Sequence, residues 1–214
     1  MIPGIIASQI IAVGEAAGVY DGAAIAGDFI DGLYRVGGVT VTAADIVDDP
    51  GAIDASGLHC DNVTEVNIIG DFLTQLLGNA NAMTMILEYE ELTGSGSRVP
   101  FSMQSAGFSD IFYFFCDADV GCFDQPDPGT NRQAVITSVT RPGIRRAAVL
   151  RNADELKLSV NGGTVQGETL TVADLTGLNA AYFGESGWSG ALYIRRFVVF
   201  AGGTAAALPG LSAL

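Results

Sequence analysis

The sequence predicts an all-β protein: an antiparallel two-sheet β-sandwich, or jelly roll, preceded by an irregular N-terminal arm. Three observations carry that expectation. Short runs of alternating apolar and polar residues recur roughly every 8–12 residues between turn signals. Twenty-eight glycines among 214 residues supply the turns. Helical periodicity is confined to stretches near 71–80 and 173–178 and, within the arm, around Gln9–Ala17.

Residues 1–30 are rich in Ile, Ala and Gly and keep neither the period of a strand nor that of a long helix. Gly4, Gly14, Gly18, Gly22 and Gly27 each cost about 1 kcal/mol of helix propensity. Ile2, Ile5, Ile6, Ile10 and Ile11 are too apolar to stay in water, so this arm is expected to dock on its own domain or on a neighbouring subunit. A first strand of the same domain is the equal alternative. The sandwich is expected over 31–200. Tyr34-Arg35-Val36 and Val39–Val41 flank Gly37-Gly38, a hairpin signal. In MTMILEYEEL, Met83, Met85, Leu87 and Tyr89 share one face and Thr84, Ile86, Glu88 and Glu90 the other, which predicts a strand with one dry and one solvated side. In GFSDIFYFFCDAD, Ile111, Tyr113 and Phe115 alternate with Phe112, Phe114 and Cys116, which predicts burial on both sides. Strands follow over Gln133–Thr140 and Ile144–Arg151. Leu156, Leu158 and Val160 then alternate before the turn pair Asn161-Gly162, and Ala191–Phe200 closes the series. The tail, 201–214, is small and apolar and is expected to pack on the sandwich or a neighbour.

Composition narrows the function. Apolar residues make up 49% and charged residues 16% of the chain, and mean hydropathy is +0.36, enough for a sizeable core. One lysine and one histidine leave little general acid-base chemistry. The net charge of −14 repels phosphate backbones, so nucleic acid is not an expected partner. Residues 1–97 hold 14 Asp/Glu against Arg35 alone. The apolar start lacks a basic n-region and is interrupted by Glu15, so neither a secretory signal nor membrane insertion is expected. Cys60, Cys116 and Cys122 are an odd set, expected as buried free thiols.

Four stretches in order resemble the laminin-G or concanavalin A-like jelly roll: GLHCDNVTEVNI (57–68), NAMTMILEYEEL (81–92), the run 131–165 with its Asn161-Gly162 hairpin, and YFGESGWSGALYIRRFVVF (182–200). The resemblance covers approximately 32–200. It implies a fold used by lectins, glycanases, adhesive modules and bacteriophage structural proteins. The leader MIPGIIASQ placed before such a module resembles bacteriophage tail-fibre, baseplate or capsid-associated proteins, in which an N-terminal arm attaches the module to the particle.

Several residues invite chemistry. Glu88, Glu90 and Glu91 form a local carboxylate triplet, and Glu88 and Glu90 share a strand face at the spacing of a retaining glycosidase pair. The glycanase pattern of spaced acids is not matched, and no catalytic residue is assigned. His59 sits in a strand without a recognisable nucleophile partner. Asp117, Asp119, Asp124 and Asp127 lie in one loop whose carboxylates offer a Ca²⁺ site, with Asp117 and Asp119 as first ligands; no other cofactor is expected. Trp188, in a Gly-rich rim loop, and Tyr182 are the candidates for stacking on a sugar. Arg141, Arg145, Arg146 and Arg151 form the one basic cluster and suit charge complementarity between subunits or with an acidic neighbour. The function expected first is therefore a non-enzymatic virion component assembled in the host cytoplasm. It would join other virion proteins through its arm and form a homo-oligomer, a trimer by the fibre resemblance. The alternative is a carbohydrate-binding, lectin-like module that recognises a host-surface glycan.

Overall fold

The computed structural model describes residues 20–61, 65–92, 97–117, 119–126, 129–137, 143–184 and 191–213. The expected arm residues Ile2, Ile5, Ile6, Ile10 and Ile11, the stretch Gln9–Ala17, and Asp127, Arg141 and Trp188 lie outside the described residues. In chain order the first strands are β1 (Ile25–Asp28), β2 (Leu33–Val36), β3 (Val39–Val41), β4 (Ile53–Asp54), β5 (Gly57–Cys60) and β6 (Val66–Asn67). Helix α1 (Gly70–Asn79) comes next, then β7 (Met83–Glu91), β8 (Arg98–Ser105), β9 (Ile111–Cys116), β10 (Val120–Gln125) and β11 (Arg132–Ile136). The chain ends with β12 (Gly143–Arg151), β13 (Glu155–Val160), β14 (Gln166–Thr169), β15 (Leu178–Phe183), β16 (Leu192–Ala201) and helix α2 (Leu208–Ser212).

These strands form two antiparallel sheets. One has ten strands in the order β14-β13-β12-β7-β16-β1-β2-β3, with β5 pairing the start of β16 and β4 pairing β5; the other has six, β11-β10-β9-β8-β15-β6. The core between them is aromatic: Phe101 and Phe183 from the smaller sheet meet Phe197 from the larger at ring centroids 4.8 and 5.1 Å apart. Helix α1 sends Phe72 and Leu76 into the same core. Burying each such side chain is worth about 1.5–3 kcal/mol.

The turn signals act as their chemistry requires. Gly37 and Gly38 both take positive φ, 56° and 84°, as a tight turn matched to strand twist needs. Asn161 and Gly162 do the same before β14. Elsewhere the structure corrects the sequence reading. Within 1–30, residues 25–28 follow the alternative of a first strand of the same domain and not the arm: they are strand β1, paired between β16 and β2 and buried throughout. With a neighbour on each side and both faces covered, its four residues show no alternation to read. No helix forms over 173–178. Leu175 N–H donates to Asn81 Oδ1 and Thr176 N–H to Asp110 Oδ1, so side chains satisfy this backbone in place of a helical ladder.

Strands β7 and β9 exchange their expected environments. Met83, Met85, Leu87 and Tyr89 do face the core, but Thr84, Ile86 and Glu88 on the other side are buried as well. That outer face is covered by a second apolar cluster in which Tyr20 and the α2 residues Leu208 and Leu211 meet Ile86, Ala148, Leu150, Val198 and Phe200. Strand β9, expected to be buried on both sides, buries Phe112, Phe114 and Cys116 and leaves Ile111, Tyr113 and Phe115 half-exposed. It lies in the smaller sheet, whereas Tyr20 and α2 pack on the outer face of the larger one.

Charge is used inside the sandwich. Asp124 on β10 is fully buried and accepts from Arg132 Nη2 at 2.7 Å and from Arg151 Nε at 2.9 Å, the latter reaching across from the larger sheet. Arg132 also donates to the carbonyls of Asn152, Ala153 and Leu170, and Arg151 to those of Ala80 and the Asn81 side chain. Burial pulls the Arg151 guanidinium below its ordinary value while Asp124 opposes that shift. Removing the carboxylate would leave two buried guanidinium groups uncompensated. Asp124→Ala is therefore expected to lose about 3–5 kcal/mol of unfolding free energy in denaturant titrations, and a loss below about 1 kcal/mol would refute the bridging role.

A second carboxylate ties β1 to the sheet. Asp28 accepts from Tyr20 Oη, from Arg196 Nε at 2.8 Å, and from the N–H groups of Ile30 and Asp31. Burial alone would raise its carboxyl, but the Arg196, Tyr20 and backbone hydrogen bonds outweigh it and hold the group below its ordinary 3.8. A depressed folded-state value stabilises the fold above the unfolded-state value and ceases to do so as pH falls through the folded one. The stability difference between wild type and Asp28→Asn, measured by urea unfolding, should thus be full at pH 7 and shrink below about pH 4. A difference independent of pH would contradict this.

Candidate functional site

Outward-facing residues of the six-stranded sheet line up in rows across it. Strand register sets Asn67, Tyr182, Ser102, Tyr113, Phe123 and Gln133 side by side across β6, β15, β8, β9, β10 and β11. At about 4.8 Å per strand the row runs some 24 Å, perpendicular to the chains. Beside it lie Ala180, Gln104, Ile111 and Gln125 in a second row, and Phe115, Gly121 and Val135 in a third. Alternation explains why these side chains share a face: Phe101, Met103, Phe112, Phe114, Val120, Cys122 and Ala134 at the intervening positions fill the core.

The rings are organised. Tyr113 and Phe123 stack with centroids 5.1 Å apart and planes 30° from parallel, and Phe115 lies 6.0 Å from Tyr113. Phe115 lies over Gly121: a Cβ at Gly121 would stand 2.2 Å from the ring tip. Only glycine there lets the ring settle onto the strand, leaving its far face outward. Between Tyr182 and Tyr113 sits Ser102, 1% exposed, whose hydroxyl has no hydrogen-bond partner. An unsatisfied buried hydroxyl costs about 1–3 kcal/mol, and this one becomes available to a ligand only when a ring beside it moves. The amides of Gln104, Gln125 and Gln133 add donors and acceptors around the rings. A flat aromatic platform with a sunken hydroxyl and flanking amides is equipped to stack on a ring and hydrogen-bond its substituents.

Of the sequence-derived candidates, Tyr182 belongs to this row. Asp117 and Asp119 stand at the β9–β10 turn, where Asp117 N–H donates to the Asp119 carbonyl and Ser97 Oγ donates to Asp117 Oδ2 at 3.1 Å. Asp124, read as part of the same acidic loop, instead points inward to its arginines, because it shares the core-facing side of β10 with Cys122. No group of three or more potential metal ligands occurs among the described residues.

Of the β7 carboxylates, Glu88 and Glu91 are buried, while Glu90 keeps 34% of its side chain exposed. Glu88 pairs with Arg146 at 2.6 Å and with Arg195 and Arg196 at 3.3 Å, and Glu90 with Arg195 at 2.8 Å. Glu91, also buried, pairs with Arg145 at 2.6 Å. The register explains the correction: β7 is central, and Arg146 of β12 and Arg196 of β16 stand directly opposite Glu88. Neither Glu88 nor Glu90 is presented to a glycosidic bond. The same contacts dissolve the basic cluster: Arg145 and Arg151 face the interior with Ala147 and Val149, and Arg146 is held by Glu88. His59 is half-buried on β5, its ring 5.1 Å from that of Tyr193. The three cysteines are buried free thiols, and burial pushes those of Cys60 and Cys122 well up.

Sequence reasoning passed over Ser102, Tyr113, Phe115 and Phe123. The available signal was Gly121, a glycine within a strand, two residues before Phe123.

No protein-family model and no curated protein matches the chain. Solved structures of similar fold do. The CBM40 domain of Ruminococcus gnavus IT-sialidase, bound to α2,3-sialyllactose, aligns with a TM-score of 0.57 at 15% identity over 74% of this chain and 97% of that one. The leech intramolecular trans-sialidase aligns at 0.54 and 14% identity over 73% of this chain, but only 27% of that enzyme is covered. The binding domain of botulinum neurotoxin DC aligns at 0.51 and 9% identity over 65% and 37% of the two chains. At such identities the likeness is one of fold. The chain is an all-β, two-sheet sandwich like that of the CBM40 domain, as the jelly-roll resemblance implied.

Proposed function

We propose that this protein is a carbohydrate-binding module whose ligand lies on the outer face of the six-stranded sheet. The observation that carries the reading is the row Tyr182, Ser102, Tyr113 and Phe123, in which aromatic rings flank a buried hydroxyl without a partner. Pyranose rings have apolar faces that suit stacking and hydroxyls that suit amides and a serine. Three partly exposed rings, Tyr113, Phe115 and Phe123, grouped on one face are a further mark of an interaction site. The fold likeness supports the same reading, since the CBM40 domain was solved with sialyllactose bound. That bound sugar favours the glycan-binding alternative over the virion role. Binding without hydrolysis is the activity proposed, because the β7 carboxylates are held by arginines.

Truncating a stacking ring should cost about 2 kcal/mol, some thirtyfold in Kd. Tyr113→Ala and Phe123→Ala are each expected to weaken glycan binding by about that factor in calorimetric titrations against glycans retained on an array, with the unfolding midpoint nearly unchanged. Gly121→Val should act likewise by lifting Phe115 off the strand. Full affinity in all three variants would overturn the assignment of the face.

A further inference from the structure

We infer that the ligand of this face is an uncharged glycan, and that sialylated, sulfated or uronic acid-containing sugars are disfavoured. The inference rests on the carbohydrate-binding reading above and names its substrate class. The six strands of the sheet contain three charged residues, Arg98, Asp124 and Arg132, and all three are buried, with Arg98 near Glu91 and Asp124 against Arg132. Every outward position is therefore aromatic, aliphatic, amide, hydroxyl or glycine. In the turns that join β8, β9, β10 and β11, the described charged residues are Asp110, Asp117 and Asp119, all acidic. At the β6 end, Asn67 donates to Asp48, another carboxylate.

Recognition of an anionic sugar calls for a guanidinium or ammonium aimed at its carboxylate or sulfate. The chain has ten such groups. Arg35 pairs with Asp21, and Arg145, Arg146, Arg151, Arg195 and Arg196 are engaged in the larger sheet or the interior. Lys157, also in the larger sheet, donates to Gly167 and Thr169. Arg98 and Arg132 are buried, and Arg141 lies outside the described residues. With a net charge of −14 the surrounding field repels anions as well. Ser102, Gln104, Gln125 and Gln133 match neutral hydroxyl and acetamido groups instead.

The test uses the full chain against a panel of neutral oligosaccharides ending in galactose, glucose, mannose or N-acetylhexosamine, and against sialylated and sulfated counterparts of the same cores. The expected result is at least about tenfold tighter binding of the neutral members, changing less than about twofold between roughly 50 and 500 mM NaCl. Arg141→Ala should leave that binding unaltered. Preference for the acidic members, salt-sensitive affinity, or loss of acidic-glycan binding in Arg141→Ala would overturn the inference while leaving the carbohydrate-binding reading intact. Binding of no member of either class would overturn that reading itself.

Discussion

Asp124 is the constraint on which the arrangement of the two sheets depends. Its carboxylate sits between Arg132, from its own sheet, and Arg151, from the other, and every one of these groups is fully buried. Buried charge is tolerated when it is paired and hydrogen-bonded, and beyond Asp124 the two guanidinium groups donate to backbone carbonyls of the loops around them, Arg151 Nη2 alone being left without a partner. The network therefore fixes the relative position of β10, β11 and β12 as well as pairing charges. A shift of either sheet would strand at least one ion in apolar surroundings.

The same arrangement determines the chemistry of the outer surface. In a strand, alternate side chains face opposite sides, so charges placed inward leave their neighbours outward. Asp124 inward puts Phe123 and Gln125 outward; Arg132 inward puts Gln133 outward. Strand β9 carries no charge at all and shows Tyr113 and Phe115 on its outer side. The uncharged aromatic platform and the ionic interior are two faces of one register.

Much of this was legible in the sequence, and the failures have a common cause. The Gly37-Gly38 turn, the core face of β7 and helix α1 follow from local chemistry and appear where expected. What period and propensity cannot supply is which outer face the rest of the chain covers. Met83–Glu91 reads as half-solvated because Glu88 and Glu90 look like surface residues, yet Arg146, Arg195 and Arg196 converge on them from neighbouring strands far away in sequence. Ile111–Cys116 reads as fully buried because it is apolar throughout, a composition shared by strands that are covered and strands that present a binding surface. Tyr182 was a sequence candidate for stacking on a sugar; Ser102 and Tyr113, which pair beside it, were not, because their adjacency is a matter of pairing between β15, β8 and β9.

The two outer faces differ in what the described residues place on them. Tyr20 and α2 lie against Ile86, Ala148, Leu150, Val198 and Phe200 and remove that apolar surface from water. The rings of the smaller sheet stay half-exposed, an arrangement that in a neutral protein would invite self-association. A net charge of −14 opposes it, since like-charged molecules repel before their apolar faces meet. The repulsion does not act on an uncharged ligand. On the binding reading proposed above, an acidic body carrying an uncharged aromatic face would oppose contact between copies without repelling a neutral sugar, and the acidity of the composition would become part of how the surface selects.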